Sequence, residues 1–180
     1  GIELAAVSAF RDFERQRTIW NAKWRGERAL LDRSGRPLDT ATLDPDARID
    51  AILAWSALPG ASRHHWGTDI DVIDRAATAQ GYLPQLVPAE YAPGGVFHRL
   101  DAWLTASMSR FGFYRPYVRD LGGVRPEAWH LSHADTAGPA CGGLTAEIMQ
   151  EAIESADIEG KERLIERMDE IRERYVVQRQ

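Results

Sequence analysis

Hydrophobic and polar positions alternate at two different periods along this chain, and the change of period divides it into elements. Leu4 to Phe10 reads as an extended segment. From Asp12 to about Arg28, Phe13, Ile19, Trp20 and Trp24 fall near helical spacing, with Asp12 as the capping residue. Residues 32 to 46 are dense in turn formers and read as a loop, a candidate rim for a site. A second helix is expected from Asp44-Pro45, with Ile49, Ile52, Leu53 and Trp55 on its apolar side and Leu58-Pro59-Gly60 ending it. Residues 68 to 74 switch to strand alternation, which puts Ile70 and Val72 on one face and Asp69, Asp71 and Ile73 on the other.

Beyond Asp74 the segment from Tyr82 to Gly95 is aromatic and loop-like, a candidate wall of a groove. Val96 to Phe111 has one helix face in Val96, Leu100, Trp103, Leu104 and Met108. Phe113–Val118 and Ala128–Leu131 are expected as short strands joined by a turn at Gly122-Gly123. Thr145 to about Gln178 reads as a helix whose apolar stripe runs through Ile158, Leu164, Ile165, Met168, Ile171, Tyr175 and Val176. The stripe suits docking on its own domain, with a dimer contact as the alternative. The pattern predicts an α+β fold: a small antiparallel sheet flanked by helices, in one domain over 1–180, with a C-terminal amphipathic helical extension from about residue 144.

Composition narrows the class. The 180 residues, 44% hydrophobic and 27% charged, are those of an ordinary globular domain. A net charge of −5 without a basic patch argues against nucleic acid. No apolar run reaches the ~18 residues of a membrane span. Cys141, the only cysteine, is expected to be a free buried thiol. The start at Gly1, seven residues before Ser8, reads as a processed or truncated N-terminus whose address is missing.

The chemistry is concentrated in two stretches, Ser62-Arg63-His64-His65-Trp66-Gly67-Thr68-Asp69-Ile70-Asp71 and Glu127-Ala128-Trp129-His130. Neutral imidazole and carboxylate form a standard ligand set for catalytic zinc, which keeps a fourth position for water. His64, Asp71 and His130 supply that set, and Glu127 is placed to move the proton of the attacking water. His65 is expected at the rim or behind the ligands, Trp66 in packing, His98 on a helix away from the metal, and His133 on the opposite strand face from His130.

The spacing Ser62-x-His64-x-x-Gly67-x-x-x-Asp71, followed by Glu127-x-Trp129-His130, resembles the zinc signature of the D-alanyl-D-alanine carboxypeptidase family that includes VanY and VanX, a branch of the LAS metallopeptidases. Ser8-Ala9-Phe10-Arg11 resembles the family's S-G-Y-R segment, with Gln16 further along the same helix. The chain departs from the pattern at Asp69, where many members carry alanine. The resemblance implies Zn²⁺ as cofactor, Glu127 as the base, and Arg11 stabilising the bound peptide or the oxyanion. It also implies Ser62 and Gln16 in substrate binding. Asp69, on the same strand face as Asp71, is expected either to support a metal ligand from behind or to act as a recognition group that attracts a substrate amine.

The function so implied is removal of a terminal D-Ala from a peptidoglycan stem peptide in the periplasm or cell envelope, by a monomer or weak dimer. An L,D-carboxypeptidase or wall endopeptidase would use the same metal machinery. A non-catalytic wall-binding module with structural zinc is the alternative from another class, and Glu127 argues against it because a structural site needs no base.

Overall fold

The computed structural model describes residues 1–177. Its centre is a four-stranded antiparallel sheet in the order β1 (Leu4–Ser8), β4 (Asp69–Asp74), β6 (His130–His133), β5 (Phe113–Tyr114), with β1 as one edge. Helix α1 (Phe13–Trp24) follows, capped as expected by the Asp12 carboxylate, which accepts from Arg15 N at 2.7 Å. It stops short of Arg28 because Gly26 turns into the left-handed region at φ 75°. The expected loop then contains a small hairpin, β2 (Leu30–Leu31) with β3 (Pro37–Leu38), closed by Asp32, whose Oδ1 accepts from the backbone of Ser34 and Arg36. Helix α2 (Pro45–Leu53) is capped by Asp44, and Ile49, Ile52 and Leu53 are buried.

Arg63–Trp66 forms one 3-10 turn ended by Gly67 at φ 71°, where a side chain would be strained. Strand β4 (Asp69–Asp74) follows. The aromatic segment contains a one-turn helix, α3 (Pro88–Tyr91), and is pinned by the Glu90 carboxylate, which accepts from Tyr82 Oη, Gln85 N and Val87 N. Helix α4 (His98–Ser107) buries Leu100 and Leu104 but leaves Trp103 38% exposed, so the expected stripe is narrower than its sequence pattern. Strand β5 is only Phe113–Tyr114, and β6 is His130–His133, two residues later than expected. These two strands pair, as predicted, across the loop 115–129.

After β6 comes helix α5 (Ala134–Gly143), which carries Pro139 and three glycines and gave no periodic signal. The expected C-terminal helix is broken into α6 (Ala146–Glu154), α7 (Lys161–Glu166), α8 (Met168–Ile171) and a π-helical turn, Arg172–Val177. The break has a cause: Gly160 sits at φ 73° against the Trp24 indole, where a Cβ would overlap the ring. The expected end of that helix, Gln178, lies outside the described residues.

Two apolar clusters flank the sheet. One joins Trp20, Ile49, Ile52 and Leu53 to Met149, Ile153, Leu164, Met168 and Ile171, so the C-terminal stripe faces the chain's own core. The other packs Val72 and Leu131 of the sheet against Tyr91, Phe97, Leu100, Leu104 and Trp129. Burying a side chain of this size contributes about 1.5–3 kcal/mol, and the Tyr91 hydroxyl is satisfied at 2.7 Å by Val72 O. Asn21 fastens the first cluster's outer loop: its Nδ2 donates to Asp157 O and its Oδ1 accepts from Glu159 N.

Candidate metal centre

Strand pairing builds the site. In the β4–β6 register Asp69 lies opposite Ser132, Ile70 opposite Leu131 and Asp71 opposite His130. Directly opposed residues share a sheet face, so two carboxylates and a histidine gather on one side while Ile70 and Leu131 pack on the other. The register of β1 against β4 shifts by one residue between Ala6 and Ser8, which puts Ser8 opposite Asp71 and leads the chain past the site into Arg11.

His64 reaches the same point from the 3-10 turn. Its Nδ1 lies 2.9 Å from Ala9 O, an acceptor only, so Nδ1 carries the proton and Nε2 presents a lone pair. That Nε2 lies 3.4 Å from Asp71 Oδ2, and His130 Nδ1 lies 3.1 Å from Asp71 Oδ1. One ligand atom from each of the three residues lies within 4.8 Å of the others. Donors about 2.0–2.1 Å from a tetrahedral zinc stand about 3.3 Å from one another; the two measured contacts are of that size but run to different oxygens of Asp71, so one small rotation of the carboxylate separates this arrangement from a single donor triangle. Among the described residues this is the one such group.

Glu127 stands beside the cluster, with Oε2 3.5 Å from His130 Nδ1 and a side chain only 13% exposed. Burial pushes its carboxyl up to about 7, against the attraction of His130. Burial disfavours the His130 cation, yet the hydrogen bonds to Asp69 and Asp71 outweigh it and lift the ring to about 9. Burial raises the Asp71 carboxyl, but the neighbouring His130 and His64 rings more than offset this and hold it below the ordinary carboxylate range.

A cleft of about 260 Å³ opens over the cluster, lined among others by Arg11, Trp55, Ser62, Tyr117, Glu127 and Trp129. Arg11 is braced rather than free: its guanidinium donates to Gln16 Oε1 at 2.8 Å and to Ser8 Oγ at 2.9 Å. His65 ties down the same segment, taking a hydrogen bond from Gly60 N on Nε2, so that its Nδ1 donates to Arg11 O. No residue of 32–46 lines the cleft, so that loop does not rim it; Gln85 and Leu86 of the aromatic segment do.

Two expected substrate-binding residues are placed elsewhere. Gln16 is 0% exposed and spends its amide on Arg11, Ser56 and Ala57 O, so it supports the arginine instead of facing the cleft. Asp69 is also 0% exposed and does not line the cleft. That position speaks against the expected recognition of a substrate amine and favours the other expected role, support of a metal ligand from behind, since Asp69 Oδ1 lies 2.8 Å from His130 Nε2. His133 stacks edge-on with Phe113 at 5.3 Å, away from the cluster. Cys141 is free and half-buried rather than buried.

Two residues of the site carry no sequence signal for it: Tyr117, whose ring lies 5.2 Å from that of His130, and Trp55 in the cleft wall. Neither sits at a motif spacing. Arg63 was hidden between motif positions, and a buried arginine has no signature until its partners are known.

A convergent N, O, N donor set with a buried carboxylate beside it, carried on a small antiparallel sheet, defines a metallopeptidase. The chain belongs to the VanY family of D-alanyl-D-alanine carboxypeptidases, whose model matches residues 1–136. Membership makes it a zinc peptidase that acts on peptidoglycan stem peptides or their precursors. An uncharacterized protein of Haemophilus influenzae is 34% identical over 122 residues, 67% of this chain and 93% of that protein. The LdcB LD-carboxypeptidase shares the fold at a TM-score of 0.50 and 23% identity, over 88% of this chain and 61% of LdcB. The vancomycin-resistance D,D-pentapeptidase VanY, solved in complex with Zn(II), aligns at 24% identity and a TM-score of 0.49, over 85% of this chain and 72% of that one.

Proposed function

We propose that the protein is a zinc-dependent D,D-carboxypeptidase of the cell envelope that removes the terminal D-Ala from peptidoglycan stem peptides. The observation that carries this reading is the triangle of His64 Nε2, Asp71 and His130 Nδ1 with the Glu127 carboxylate alongside. A zinc ion held there would supply a Lewis acid and lower the pKa of a water towards about 7.

The chain's own residues do the rest. Glu127, poised near neutrality by burial, accepts the proton of the attacking water and returns it to the leaving amine. Arg11, held by Gln16 and Ser8, sets a cation at the cleft where the carbonyl oxygen or the substrate carboxylate gathers charge. Ser62 lines the cleft beside it and orients the peptide.

The test is mass-spectrometric product analysis of zinc-loaded protein beside Glu127→Ala, on a pentapeptide ending in D-Ala-D-Ala, a tetrapeptide and a cross-linked dimer. Loss of one alanine from the pentapeptide alone is expected. Cleavage of the tetrapeptide or the cross-link would keep the chemistry and replace the D,D specificity. Intact peptides with zinc fully bound would overturn the enzymatic reading.

A further inference from the structure

The buried residue that the cleft does not use is Asp69, and its surroundings are unusually complete. Its Oδ1 accepts from His130 Nε2 at 2.8 Å and from Arg63 Nε at 2.9 Å. Its Oδ2 accepts from Thr68 Oγ1 at 2.5 Å and from Ser132 Oγ at 3.1 Å. Arg63 is committed as well: its NH2 donates to Tyr114 Oη and Ser132 Oγ, both at 2.7 Å, and its guanidinium lies 4.9 Å from the centre of the Trp66 ring. Four donors therefore fix one carboxylate, which cannot swing to the other side of the His130 ring.

The consequence falls on His130. Its two nitrogens face opposite partners: Nε2 faces Asp69, while Nδ1 faces Asp71 and Glu127. A neutral imidazole has one N–H, and which nitrogen carries it is set by the hydrogen bond the other partner demands. Resting on the metal site proposed above, we infer that Asp69 is a positioning residue that holds the proton of His130 on Nε2 and so keeps Nδ1 as the lone pair offered to the metal. Arg63 balances the charge of Asp69, so the carboxylate remains an acceptor for His130 and does not become a fourth ligand. A carboxylate behind a ligating histidine fixes ring orientation and raises ligand basicity, and removing such a partner typically costs about 10–100-fold in metal affinity.

The register explains why this chain can do so. Asp69 and Asp71 stand two apart on one strand and face Ser132 and His130 two apart on the next, so one histidine ring fits between two carboxylates. An alanine at 69 would leave Nε2 and Arg63 Nε without this acceptor.

The decisive experiment measures zinc affinity of the wild type, Asp69→Asn and Ser132→Ala by competition with a chromophoric chelator. Histidine ¹⁵N shifts are recorded on the wild type, with and without zinc. The expected result is one zinc per wild-type chain, an affinity about 10–100-fold lower in Asp69→Asn, unchanged affinity in Ser132→Ala, and a protonated Nε2 with a metallated Nδ1 on His130. Equal affinity in Asp69→Asn and wild type would overturn the inference, as would equal losses in Asp69→Asn and Ser132→Ala, which would mean a merely structural network. If Asp69→Asn does not fold, the shifts of the zinc-loaded wild type decide alone: a proton on Nδ1 there, with Nε2 metallated, overturns the assignment. A wild type that takes up no zinc is a different failure, that of the metal site itself, and is visible before any variant is compared.

Discussion

The sheet face that carries the cleft and the helical layer built with the C-terminal segment bury different things. On the sheet face the enclosed groups are polar: Ser62, Arg63, His64, Asp69, Asp71, His130 and Ser132 all lie below 9% exposure. In the helical layer Met149, Ile153, Leu164 and Ile171 are at 0%, while the pairs Arg163–Asp46 and Arg163–Glu166 carry charge on the outside. Buried polar groups cost free energy unless partnered, so the first region spends stability to hold a geometry and the second supplies it. Changes in the two regions should therefore move different observables.

The largest effect belongs to the sheet face. Glu127→Gln removes the proton carrier and is expected to lower kcat by about 10²–10⁴-fold while zinc stays bound; full turnover in stopped product assays would remove Glu127 from the mechanism. In the helical layer, Leu164→Ala deletes a fully buried side chain and should cost about 2–5 kcal/mol in denaturant unfolding. Its kcat/KM per folded molecule should stay at the wild-type value, and a loss of activity without a loss of stability would break the division.

Acidity separates the regions again. The Glu127 carboxyl sits at about 7 and works as the carboxylate, so kcat/KM should climb as pH rises to about 7 and level off above it. A rate already flat at pH 5 would contradict the assignment. Burial pushes Asp69 up, but its hydrogen bond from His130 and the charge of Arg63 hold it at about 2, below the ordinary 3.8. The stability it contributes is complete above 3.8 and is lost as pH falls from there towards 2. Acid titration should consequently loosen β4 and β6 before the helical layer, which amide exchange would register. The smallest effect is local: Asp44→Ala removes the cap of α2 and should cost about 1 kcal/mol without touching zinc affinity.

What the sequence revealed follows the same division. The grouping of His64, Asp71 and His130 was legible because metal chemistry restricts residue types and the motif spacing is fixed by a turn and a strand. Strand β4, helix α1 and the caps at Asp12 and Asp44 were legible because local hydrogen bonding decides them. The misses have long-range causes. The C-terminal stripe is periodic enough for one helix, but the contact of Gly160 with Trp24, far away in chain order, breaks it. Gln16, expected at the substrate, and Asp69, expected either there or behind a metal ligand, show a second limit: nothing in a sequence distinguishes a polar side chain that faces a cleft from one that supports its neighbour. Helix α5 is stabilised by its position after β6 and not by propensity, since glycine and proline disfavour it.

The break at Gly160 also bears on how the molecule is made. Residues that complete the packing around Trp20, Ile49 and Leu53 lie after Leu144, beyond the stretch shared with the family. On a ribosome, strands β4 and β6 can pair once residue 133 has emerged, but the layer behind α1 and α2 stays uncovered until Ile171 follows. Synthesis thus delivers the zinc-binding strands first and their support last, and a chain stopped at residue 136 would present an open hydrophobic flank to chaperones and proteases in place of a finished enzyme.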